Sequence, residues 1–177
     1  MDAKTILPVL REYAPDDVYA QSVVYRPVAD GLGLFLASVA PTESGTVGVN
    51  YLMARDVAAN GIAETALFET AYANLTEGLR VNGVEDDGQT FLALEREGGF
   101  AASALGLPDF HAQAAEWLSA PRLFAGFTDP DTLFVAAADS PLAAKLQAAI
   151  AASDPSEDTI HLDPASYRLD GKSITRV

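Results

Sequence analysis

The chain has 177 residues, 49% of them hydrophobic and 20% charged, a mixture that supports one ordinary domain with a sizeable core and excludes global disorder. Its 25 acidic residues outnumber 11 scattered basic ones and leave a net charge of −14. That balance argues against nucleic acid and anionic lipid, both of which need clustered Lys or Arg. Cysteine is absent, which removes disulfides, a thiolate nucleophile and Cys-based zinc sites. The first apolar stretch, residues 6–10, ends at Arg11 and Glu12, short of a signal-peptide core. The longest apolar runs are strand-sized, so the expectation is a soluble, cytoplasmic chain with no membrane partner.

In chain order, residues 6–10 read as a strand or a broken helix, and Pro8 favours an edge strand, because proline offers no ladder N–H. Residues 23–28 and 34–39 form a hairpin around Asp30-Gly31. A polar loop at 41–45 precedes a strand at 47–52 and then a short helix that stops at Asn60-Gly61. Residues 63–79 are the clearest long helix, with Phe68, Ala71, Tyr72, Leu75 and Leu79 at helical spacing. Two strands follow around Asp86-Asp87-Gly88, and Gly98-Gly99 breaks the chain before a short helix at 101–105.

Pro108 reads as the opening of the next helix, which carries Phe110, Ala114, Trp117 and Leu118 on one apolar face and buries Trp117, the only tryptophan. Residues 123–127 and 133–138 are nearly continuous apolar runs joined by Thr128-Asp129-Pro130-Asp131, a hairpin wanting cover on both faces. That need predicts self-association, most simply a homodimer. Ser140-Pro141 opens a helix carrying Leu142, Leu146 and Ile150. A polar linker at 153–158 leads to a last hairpin around Asp170-Gly171. Paired strands with helices between the pairs predict an α+β fold with a mainly antiparallel sheet, in a single domain 1–177.

From about Ile62 onward, some two thirds of the chain, the sequence resembles the bacterial YtpQ-like family. The resemblance rests on Ala66-Leu67-Phe68 with Asn74-Leu75, on Phe91 and Gly99-Phe100-Ala101-Ala102-Ser103, on Asp131-Thr132-Leu133, and on the turn at 167–171. It implies an α+β fold and carries no agreed activity.

Chemistry-bearing constellations are sparse. The two histidines, His111 and His161, lack metal-ligand spacing and read as structural. Asp86-Asp87-Gly88 and Asp129-Pro130-Asp131 lack the ligand register of a calcium loop and read as turns. Gly31-Leu32-Gly33 and Gly98-Gly99 lack the remainder of a nucleotide fingerprint, and Ser103 lacks the glycines of a nucleophile elbow. No catalytic residue, metal ligand or cofactor is expected. The binding candidates are Arg122, Asp139 and Ser140: the hairpin brings Arg122 to Asp139, and Ser140 begins a helix whose first amides can receive an anion. The competing reading is an ion pair beside a helix cap. The sequence thus favours a non-catalytic protein-interaction or accessory protein, with a small-ligand-binding protein or enzyme with a site at strand ends as the alternative.

Overall fold

The computed structural model describes residues 2–14, 16–42, 46–154, 162–171 and 173–177. His161 and much of the expected loop at 41–45 and linker at 153–158 lie outside the described residues. The architecture is α+β, with two antiparallel sheets. No helix among the described residues is long and apolar enough to cross a membrane, which says nothing of strand-built spans.

The smaller sheet is built on β3 (Leu32–Pro41). Strand β1 (Ile6–Glu12) pairs along one side of it, while β2 (Tyr25–Ala29) and β4 (Val47–Tyr51) share the other. Helix α1 (Val18–Ser22) precedes β2, and α2 (Ala54–Ala59) follows β4 and ends at Asn60-Gly61 as the sequence indicates. Strand β1 is an edge strand, and its free edge is closed residue by residue. The Ile6 amide bonds to the Ala3 carbonyl, Pro8 has no donor, and the Leu10 amide donates to the Ser103 hydroxyl at 2.9 Å. Asn74, on helix α3 (Glu64–Glu77), donates to the carbonyls of Ala3 and Ile6 at 2.8 and 2.9 Å. Alternate residues of a strand direct their amides to the same edge, so one side chain from each of two distant elements suffices.

The larger sheet runs β10-β9-β7-β8-β6-β5: β5 (Leu79–Asp86), β6 (Gln89–Arg96), β7 (Arg122–Phe127), β8 (Thr132–Ala137), β9 (Ala165–Asp170) and β10 (Ser173–Arg176). The β5–β6 loop is Asp87-Gly88, with φ of 51° and 74°, the left-handed pair that a two-residue hairpin needs. Side chains of β7 and β8 alternate between two apolar clusters. Leu123, Ala125, Phe127, Leu133 and Val135 enter the main core, which also takes β1, β3 and α3. Phe124 and Ala136 face α5 (Pro141–Ala151), packing on Ala143 and Ile150. Gly126 lets that helix come close, since a Cβ there would lie 2.5 Å from the Ile150 Cδ1.

The hairpin wants cover on both faces, and the chain supplies it from the main core and α5, which leaves the expected dimer without that particular support. One expectation is corrected here. Pro108 lies in the turn ahead of α4 (Phe110–Trp117) rather than in its first turn. The preceding 3-10 turn, Ala101–Gly106, is buried and reaches Leu107 before the chain can wind again.

Candidate functional site

Helix α4 buries Phe110 and Ala114, but Trp117 is 52% exposed. This overturns the expected burial of the indole. Seven residues separate Phe110 from Trp117, so the two share a helix face. The helix ends at Trp117, however, and Ser119 turns left-handed at φ 50°. There Trp117 forms one wall of a cleft whose floor includes side chains of the sheet. The cleft holds about 310 Å³ and is lined by Tyr72 of α3, Leu79 and Val81 of β5, Leu94 of β6, and Phe110 and Trp117 of α4, with Glu69, Thr76, Asp109 and Gln113 as its polar members.

The cleft lies beside an open sheet edge. Among the described residues, strand β5 pairs with β6 alone, in continuous register from Leu79–Arg96 to Asp86–Gln89. It has eight residues, no proline and no bulge, and residues 80–85 are all exposed. Natural edges are usually shortened, bulged or covered. At the opposite end of the sheet, β10 lies against β2, and β1 of the smaller sheet is closed as described. A second hollow, about 450 Å³, sits at the end of β4 against α2 and includes Asp56 and Asn60, but it adjoins a strand of only five residues.

The three sequence candidates come together as one cluster. Arg122 Nη2 lies 2.6 Å from Asp139 Oδ2, with both side chains exposed. The Ser140 hydroxyl accepts from the Ala143 amide at 3.1 Å and donates to the Ala137 carbonyl at 2.7 Å. The Leu142 amide donates to Gln89 Oε1, so the first amides of α5 have partners within the chain. Asp139 and Ser140 also border a hollow of about 210 Å³ with Arg168 and Gln147, which Arg122 does not line.

His111 is a tie, its ring nitrogens meeting the carbonyls of Gly171 and Pro121. Asp129 and Asp131 stabilise their own turn and the Phe100 amide. Among the described residues, no group of three His, Cys, Asp or Glu side chains is placed to hold a metal ion.

Sequence reading also missed Arg11. Its guanidinium packs 5.3, 5.5 and 5.7 Å from the ring centres of Tyr19, Phe35 and Tyr51, and lies 3.8 Å from Asp17. Its Nε and Nη1 are buried without a hydrogen-bond partner, and ring faces take the place of acceptors. The cluster fastens α1 to the outer face of the smaller sheet. Arginine on a strand ordinarily reads as solvated, and the rings that enclose it come from separate elements.

Compared with known proteins, the chain matches no family model, no curated protein and no solved structure.

Proposed function

We propose that the protein is a non-catalytic interaction or accessory protein that docks an extended segment of another protein along β5, with an apolar side chain of that segment in the cleft against Trp117. One observation carries the reading: an eight-residue edge, unpaired among the described residues, runs beside an apolar cleft walled by an exposed tryptophan. Strand addition draws affinity from main-chain hydrogen bonds and specificity from pockets for alternate side chains. Val81, Val84 and Trp117 supply exposed apolar surface, which burial rewards at about 25 cal/mol per Å².

The same proposal takes the protein as cytoplasmic and without nucleic-acid or membrane partners, supported by its charge of −14 and lack of cysteine. It includes likeness to the YtpQ-like family, supported by Asn74, Gly99 to Ser103 and Asp131.

Affinity capture with wild-type protein, Trp117→Ala and Val81→Lys tests the docking. At least one partner retained by wild type should be lost from both variants while their thermal unfolding stays near wild type. An identical set of partners on all three would reject the reading. The cleft's size favours one second reading, a small apolar ligand with a polar end, because 310 Å³ sits near the lower limit of small-molecule sites, about 300 Å³.

A further inference from the structure

We infer that the segment docked on β5 is basic, carrying Lys or Arg on the same face as the apolar side chain that enters the cleft. This inference rests on the docking reading and adds the chemistry of the occupant. Leu79 and Val81 line the cleft, and strand alternation puts Gly83 and Glu85 on that same face of β5. Glu69 of α3 and Asp109 before α4 border the cleft as well, and its lining contains no Lys or Arg. The ion pairs among the described residues engage Glu12, Asp17, Asp56, Asp86, Glu97 and Asp139. Glu69, Glu85 and Asp109 are in none of them.

An apolar cleft is therefore bordered by two carboxylates, Glu69 and Asp109, with no ion-pair partner among the described residues, and Glu85 stands further along the same face of β5. A neutral or acidic strand laid there would desolvate them uncompensated, whereas Lys or Arg would neutralise them. The other face of β5 differs. Arg80 lies there, 4.0 Å from Glu97, beside Asn82 and Val84, and offers a basic side chain no advantage. The favoured segment has a bulky apolar residue with basic residues two positions away on either side, since period two keeps them on one face. The net charge of −14 steers such a segment inward at long range. A second copy of the chain brings the same net charge and the same cleft carboxylates, and is repelled.

The test is selection from a randomised library of peptides about nine residues long, matched to the strand, on the full chain, followed by titration of the selected peptides. Basic residues should emerge at alternate positions around an apolar anchor. Replacing them with Glu should weaken binding about tenfold or more, and raising salt from about 50 to 500 mM should weaken the basic peptides. The exposed pair Glu69→Lys with Asp109→Lys should reverse the preference toward Glu-bearing peptides. Neutral or acidic peptides that need Trp117 and ignore that charge swap would overturn the basic occupant while leaving docking in place. Selected peptides that bind Trp117→Ala and Val81→Lys as well as wild type would overturn docking itself. A wild-type dimer that those variants dissociate would put a second copy on the edge and overturn the inference.

Discussion

The hydroxyl of Ser103 accepts a hydrogen bond from the amide of Leu10 across 93 positions of sequence, with both residues buried. It closes the β1 edge at Leu10, between the positions that Pro8 and Asn74 serve and the end of the strand. Ser103→Ala leaves a buried donor without a partner, so the expected loss is about 1–3 kcal/mol. Urea denaturation measures it. A loss below about 0.5 kcal/mol would mean that the amide finds another acceptor.

Gly99 stands at φ 82°, and a Cβ there would lie 2.3 Å from Asp131 Oδ1, the oxygen that accepts from the Phe100 amide at 3.1 Å. Gly171, at φ 59°, has open space around it. Gly99→Ala should therefore cost about 2 kcal/mol or more and Gly171→Ala about 1. Adding Asp131→Ala to Gly99→Ala should reveal a coupling of at least about 0.5 kcal/mol. Equal losses at the two glycines would show that the clash is relieved by a carboxylate shift.

Burial raises the Tyr167 phenol from its ordinary value of 10.0 to about 12, against a lowering effect of Arg176. Burial raises Tyr13 and Tyr51 as well. The folded state thus holds its protons more tightly than the unfolded chain. This stabilisation is complete below about pH 10 and is lost as pH rises toward about 12. Urea midpoints across that window should fall for wild type and fall less steeply for Tyr167→Phe. Parallel slopes would contradict the assignment.

At the other cluster, Ser140→Ala removes a helix cap and should cost about 1 kcal/mol. Asp139→Asn and Arg122→Ala break an exposed pair and should each change stability by less than about 1 kcal/mol. None of the three should alter binding of a β5-selected peptide. Lost binding with stability intact would move the site to Arg122, Asp139 and Ser140.

Local chemistry made much of this fold legible. Asp30-Gly31, Asp87-Gly88 and Asp170-Gly171 each have glycine at positive φ, Ser140 caps α5, and Pro8 lies on an edge strand. The alternation of β7 and β8 gave their two-sided burial but not its source, because α5 and the main core meet them only through tertiary packing. For the same reason Trp117 misled: helical spacing fixes a face, not whether anything packs against its last turn. The open edge of β5 was hidden too. A strand's pattern does not say whether it has one neighbour or two, and Glu69 and Asp109 meet at the cleft from separate parts of the chain.

Residue-resolved amide hydrogen exchange along β5 tests the central claim most directly. Without ligand, amides directed toward β6 should exchange slowly and alternate, outward amides quickly, while the Leu10 amide on the closed β1 edge stays protected. A saturating basic peptide selected on the full chain should slow the outward β5 amides together with a change in Trp117 emission. Outward amides that remain fast while Trp117 reports full occupancy would contradict strand addition at this edge.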